Sequence, residues 1–458
     1  MNEIRYIAAS GALGAGVDAG ALDRALALEP HFIASDAGTT DAGPFSLGGG
    51  QPAFPREAVK RDLTRVLLAS RKAGIPALIG SAGTAGGDPH VDWVLDIAHE
   101  IVAEHDLSLR TAVIRSEQSK DYLVGLYREG RIRPLDPAPP LDEAVIERSA
   151  RIVGMMGAEP LQEALEGGAD FVLAGRCSDP ALYAALPIMR GLPAGLAWHA
   201  GKVTECGTMA CEGGRGGVIT ATIRDHEAII APFGDGVRCT PQSIAAHTLY
   251  ENGDPYLHKE CSGTLDLTRS QYEAIDERSV RITGSAFIPS NDYTVKLEGA
   301  ERIGYQSIMV GGIRDPYIIR RLDQWLAEVE AHIYAIVERV LGLGRREWTL
   351  TVHVYGRDAV MGDLEPDPHA ISREVGIVVA ATAATQELAT KAAQLTRQPF
   401  LHHGVPEWMG GITSFACLHN PAHIDRGAVY RFNLNHVAVP RTKTEMFRTE
   451  FLQLGSAK

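Results

Sequence analysis

Apolar positions along the first 190 residues fall into two alternating registers. Short β-branched or apolar runs at 5–9, 31–35, 77–80, 109–114, 152–155 and 171–174 predict strands. Between them, apolar residues recur mostly at three- and four-residue steps and predict helices over 21–28, 56–72, 91–104, 117–129, 141–148, 160–166 and 180–185. In the helix over 56–72, Val59, Leu63, Val66, Leu67 and Ala69 share a face that can lie on a sheet. Strands alternating with helices are the pattern of βα units. The N-terminal half therefore reads as α/β with a doubly wound, mostly parallel sheet. Segment 133–140, Arg-Pro-Leu-Asp-Pro-Ala-Pro-Pro, suits neither a helix nor a central strand and is read as a connection.

Beyond about residue 215 the rhythm changes, and longer strand-like segments appear at 218–224, 279–287 and 293–298. A long amphipathic helix is predicted over 317–342 from the spacing of Ile318, Leu322, Trp325, Val329, Ile333 and Val337, with Leu-Gly-Leu-Gly as its stop. Strands at 348–355 and 376–381 and a helix at 385–395 follow. The expected division is an α/β domain over 1–215 and a C-terminal α+β domain, single or in two subdomains, over 216–458.

The 458 residues are 45% hydrophobic and 22% charged, the composition of a globular protein and not of a disordered chain. Forty-four Lys and Arg against 57 Asp and Glu give a net charge of −13, which argues against a general grip on nucleic acid or an anionic membrane. No run approaches the roughly 20 apolar residues of a membrane span, and the N-terminus lacks a signal-peptide pattern, so a cytoplasmic protein is expected. Six cysteines without a Cys-x-x-Cys pair are read as reduced thiols.

Candidate chemistry follows the strands. Four loops rich in Gly, Thr, Ser and Asp begin at Ser10, Asp36, Ser81 and Gly175. In an open parallel sheet such loops meet at the carboxyl ends of the strands, where ligands bind. Glycine allows close approach of backbone N–H groups to an anion, so Ser10, Thr39, Thr40, Ser81, Thr84, Arg176, Ser178 and Asp179 are candidate ligands for an acidic small molecule. Taken singly they are ordinary turn and N-cap residues, and Asp179-Pro180 has the form of a helix start. Asp36, Asp41 and Asp88 are candidate ligands for a hard divalent ion. Gly11-x-x-Gly14-x-Gly16 departs from the dinucleotide fingerprint, which leaves an NAD-dependent oxidoreductase as a lesser alternative. A P-loop and a G-x-S-x-G elbow are both missing from the sequence.

The densest titratable stretch runs from Trp198 and His199 through Lys202, Glu205, Cys206 and Cys211 to Glu212. Lys202, Glu205 and Cys206 are the candidate catalytic residues, with a buried Glu205 carboxyl as acid or base. The competing reading is a tightly packed backbone crossing with inert core cysteines. His247, His402 and His403 are further candidates, with a structural role weighed against each.

Several motifs together resemble the AtuA family, named for acyclic terpene utilisation. They are Ala174-Gly-Arg-Cys-Ser-Asp179, Ala200-Gly-Lys-Val-Thr-Glu-Cys-Gly207, Thr240-Pro-Gln-Ser-Ile-Ala-Ala-His-Thr-Leu-Tyr-Glu251, Asp254-Pro255, Arg281-Ile-Thr-Gly-Ser285 and Tyr293-Thr-Val-Lys-Leu-Glu-Gly-Ala300. Gly304-Tyr305, Gly311-Gly-Ile-Arg-Asp-Pro316 and Glu374 continue the series. The resemblance implies a cytoplasmic role in bacterial breakdown of branched or terpenoid-derived acids. Many relatives carry His where Lys202 stands. Some occur with a small partner protein whose role an added C-terminal domain fills in others, and the short stretch after Val437-Ala-Val-Pro440 leaves a partner subunit as the expectation.

The expected activity is a hydratase or lyase acting on a small branched carboxylate or acyl-CoA, which needs a placed acid and base and no redox cofactor. The alternative is a ligand-binding or scaffold subunit active only with a small partner. A homo-oligomer is expected.

Overall fold

Parallel strands Ile4–Ala8, Phe32–Asp36, Ala77–Gly80, Phe171–Ala174 and Leu109–Arg115 lie side by side in that order in the computed structural model. The structure describes residues 3–213, 216–367, 370–408 and 411–456. Successive side chains leave the sheet on opposite faces. Tyr6, Phe32, Leu78 and Val172 join an apolar cluster with helices Ala181–Met189 and Ala194–Thr204. Ile7, Ile33, Ile79 and Leu173 join another, with Leu63 and Val66 of helix Arg56–Ala73 and Val94 and Ile97 of helix Asp88–Glu104. Burial on both faces is why these strands are uninterrupted apolar runs.

The change of rhythm near residue 215 marks a switch of pairing direction within this sheet. Val218–Ile223 runs antiparallel to Ile4–Ala8, and Ala228–Phe233, Val280–Thr283 and Gln271–Ala274 extend that side. Arg448–Leu454 closes the other side, antiparallel to Leu109–Arg115. The chain accordingly forms a compact unit from Met1–Glu301 with Phe432–Lys458, and a second from Arg302–Arg431, in place of a division after residue 215.

Two predicted strands change place. Ser149–Met155 pairs antiparallel with the start of the long strand Val295–Ile313 and takes no part in the parallel sheet. The run at 279–287 splits at Gly284 into Val280–Thr283 and Ala286–Pro289, which join different sheets. Ile132–Pro134, inside the expected connection, makes a short edge pairing with His436–Ala438.

In the second unit, Val375–Ala383 lies between Trp348–Tyr355 and residues 305–313, all antiparallel. The predicted helix over 317–342 is broken at Arg321 into Pro316–Arg320 and Leu322–Leu341, and Gly342, at φ 69°, ends it. Trp325, Val329, Ile333 and Val337 pack with Ile377 and Val379 of strand Val375–Ala383 and with Phe400 of helix Gln386–His402. Among the described residues no helix is long and apolar enough to cross a membrane.

The first glycine-rich loop is held from below. The fully buried Asp62 carboxylate accepts N–H groups of Gly14 (3.0 Å), Gly16 (2.8 Å) and Val17 (3.2 Å). Asp62→Ala leaves these donors without an acceptor and is expected to cost about 1–3 kcal/mol, read as a lower denaturation midpoint. An unchanged midpoint would mean the loop holds itself.

Cys211 and Cys239 flank the paired strands Glu212–Gly213 and Val237–Arg238, which sets Sγ against Sγ at 3.4 Å. A two-electron oxidant such as hydrogen peroxide is expected to join them, with loss of two hydrogens in the intact mass. Cys239→Ser should remove that product.

Candidate active site

The loops from separate strands meet. An added Cβ on Gly86 would lie 2.1 Å from the Arg176 backbone nitrogen, and one on Gly11 would lie 2.5 Å from the Cys206 carbonyl. Only glycine permits these approaches, which lock the loops at 81–90 and 175–180, and at 10–16 and 205–207, against one another. Ser116 ties the first pair further. Its hydroxyl donates to the Gly86 carbonyl (2.9 Å) and accepts from the Arg176 N–H (2.6 Å). Ser81 (φ 48°) and Thr84 (φ 91°) adopt left-handed backbone that costs a non-glycine residue energy, as at many ligand clamps.

At the centre is Arg176, 4% exposed. Its guanidinium donates to Glu298 (2.9 Å), to the Ser81 hydroxyl (3.1 Å), to the Cys177 carbonyl (3.1 Å) and to Asp179 (3.2 Å). Lys296 lies 3.2 Å from Glu298 on the far side. Burial alone would push Glu298 up, but Arg176 and Lys296 outweigh it and hold the carboxyl down at about 2. With these donors engaged, Arg176 ties the loops together.

The other acids go the opposite way. Burial, with the charge of Asp179, pushes Asp36 well above the usual carboxylate range, and Asp36 Oδ1 has no hydrogen-bond partner among the described residues. Burial also raises Asp179 and Glu205, only partly opposed by Arg176 and Lys202. Glu205 ends helix Ala194–Thr204, one turn from Lys202, whose Nζ it contacts through Oε1. Glu260, at the end of strand Leu257–Glu260, accepts the Ser178 hydroxyl (2.7 Å) and is pushed up to about 8, chiefly by burial. Five carboxyls, of Asp36, Asp179, Glu205, Glu260 and Glu298, thus surround two buried cations, Arg176 and Lys202. Negative charge in such excess keeps some of the acids protonated.

Beside this cluster a cleft of about 680 Å³ is floored by Trp198 and Phe287, stacked at 5.9 Å, and walled by Glu159, Ser262 and Tyr293. Ser262 is two residues from Glu260, and the charge of Glu159 helps raise the Glu260 carboxyl.

Other expected site residues are engaged in local hydrogen bonds or buried. Ser10 is buried and bonded to Ala12, Thr40 is buried, Thr39 caps Asp41 N–H (3.1 Å), and Thr84 Oγ1 accepts from Ala53 N–H (3.0 Å). The proposed metal ligands do not gather. Asp36 is buried, Asp41 is exposed, and Asp88 pairs with Arg448 at 2.7 Å and Arg115 at 3.8 Å. The three described aspartates form no group at ligand spacing, whereas Glu205, Cys206 and His247 do. The Cys206 thiol is raised by burial and by Glu205, the reverse of an activated nucleophile. His199 is bound by Ser285 (2.7 Å) and Thr248 (3.2 Å) and held neutral, at about 3, by burial. His402 and His403 belong to the second unit, bonded to the Ile412 carbonyl and Glu328.

Glu260 and Glu298 escape the sequence reading because their partners lie 82 and 122 residues away. A lone acid among Leu297, Gly299 and Ala300 is the signal that marks Glu298.

No curated protein and no solved structure matches the chain. Residues 50–422 match the family model described as acyclic terpene utilisation family protein AtuA, and with most of its length covered the chain belongs to that family.

Proposed function

We propose that the protein is a catabolic hydratase or lyase that adds water to, or removes it from, a small branched carboxylate or its acyl-CoA ester, within the acyclic terpene utilisation that the family suggests. The observation that carries this reading is Glu260, a half-buried carboxyl pushed up to about 8 chiefly by burial, two residues along the chain from Ser262 in the wall of an apolar-floored cleft. A carboxyl poised near neutrality suits general acid–base chemistry. In this reading the branched chain lies on Trp198 and Phe287, Lys202 attracts the substrate carboxylate, Glu205 holds that ammonium in place, and Glu260 exchanges the proton. Arg176, Ser81, Ser178 and Asp179 keep the loops in register. No covalent step is placed on Cys206. The sheet beneath, with helices on both faces, is read as doubly wound.

The test incubates the purified chain with short branched 3-hydroxy acids, their CoA esters and the matching unsaturated compounds, and follows interconversion by mass. Interconversion of any pair supports the reading. Turnover that appears only on adding a small partner protein supports the scaffold alternative, and turnover that requires nicotinamide supports the oxidoreductase.

A further inference from the structure

We propose that Glu205, Cys206 and His247 form a binding site for a divalent transition-metal ion of the zinc class. A carboxylate oxygen, Sγ and a ring nitrogen from these residues all lie within 4.8 Å of one another. Two of the three have an unmet need. Glu205 is 2% exposed and His247 8%, yet Glu205 Oε2 and His247 Nε2 have no hydrogen-bond partner among the described residues. Buried polar atoms are nearly always satisfied, and a cation between these two would satisfy both.

The fold brings them together from separate elements. Glu205 and Cys206 follow helix Ala194–Thr204, and His247 sits in the last turn of helix Pro241–Thr248, whose start is fixed by the reciprocal Thr240–Ser243 capping box. Both side chains that offer a free atom are steadied from behind. Glu205 Oε1 contacts Lys202, and the His247 ring stacks on Tyr250 with centroids 5.6 Å apart. Such outer contacts orient ligands at metal sites. One oxygen, one sulfur and one nitrogen donor are too soft for magnesium or calcium, too few in thiolate for an iron–sulfur cluster, and suited to zinc.

Three protein ligands leave a fourth position open, the arrangement of catalytic and not of structural zinc. Its role rests on the hydratase or lyase reading. The open position takes a substrate carboxylate or carbonyl oxygen beside Lys202 and polarises it. Uptake of the ion releases the Cys206 thiol proton, with any proton on Glu205, to solvent.

Cobalt(II) titration of the full chain, first stripped with a chelator, tests the site without any substrate, so its failure and the failure of the proposed reaction are separate results. One equivalent should bind, with a near-ultraviolet thiolate-to-cobalt band, and zinc should displace it. Cys206→Ser should lose the band and His247→Gln the stoichiometric uptake, while the double variant Cys211→Ser with Cys239→Ser keeps both. Denaturation midpoints of the variants show whether each is folded. No stoichiometric uptake by the native chain, a band that survives in Cys206→Ser, or a band lost in the double variant would overturn the proposal.

Discussion

Arg176→Ala is expected to destabilise the first unit by about 3–5 kcal/mol, the cost typical of breaking a buried ion pair from one side. The guanidinium joins the Glu298 carboxylate to the loops at 81 and 175–179 in a single set of hydrogen bonds. Removing it leaves Glu298, 5% exposed, with Lys296 alone. A shift in denaturation midpoint measures the loss. A companion variant, Arg176→Met with Glu298→Leu, removes both charges and should recover most of it, because apolar replacement of a whole buried pair is often neutral. A single-variant loss below about 1 kcal/mol, the range of solvated surface pairs, would show that water reaches the guanidinium. The pH dependence has a definite sign. Glu298 is at about 2 in the folded chain against a reference of 4.5, so its contribution is present above 4.5 and is lost as pH falls toward 2. Glu298→Gln should flatten that acid limb.

Glu260→Gln is expected to lower kcat by roughly 10²–10⁴, the usual contribution of a placed acid or base, with a much smaller change in KM. With its carboxyl at about 8, Glu260 is mostly protonated at neutral pH. On the proposed reaction it would donate a proton to the departing hydroxyl in the elimination direction, and the rate should fall as pH rises through 8. In the hydration direction it must accept one, and the rate should fall as pH drops below 8. Both limbs should vanish in Glu260→Gln. Profiles without a limb near 8 would move the proton transfer to another carboxyl of the cluster. Stability runs with the protonated form as well. A carboxyl raised above its unfolded value stabilises below about 4.5 and loses that contribution as pH climbs to about 8.

Strands 77–80 and 171–174 were legible to the residue because each is apolar on both faces and bounded by turn chemistry. The meeting of the strand-end loops followed from the same logic, since a parallel sheet delivers its loops to one edge. Helix Ala194–Thr204 was not legible. Residues 195–204 are all buried, so no polar face sets up a helical period, and Gly195 and Gly201 depress its propensity. Those glycines instead admit the backbones of Ser285 and Pro180, contacts that no local pattern encodes. The aspartates chosen as metal ligands share only a composition with one another. Asp88 opens a helix and answers to Arg448, 360 residues later. Glu260 is hidden in the polar run His258-Lys259-Glu260, where nothing separates it from a solvated edge until Ser178 is in place.

The last strand, Arg448–Leu454, completes a sheet whose neighbouring strand ends at Arg115. During synthesis some 333 residues, from 116 to 448, must leave the ribosome before the pair can close. At about 5–20 residues per second this leaves the nascent edge at Leu109–Arg115 open for some tens of seconds. An unpaired edge of that kind is an invitation to other strands. Pairing of this edge thus waits on the synthesis of the intervening residues, a window in which holdase chaperones can act.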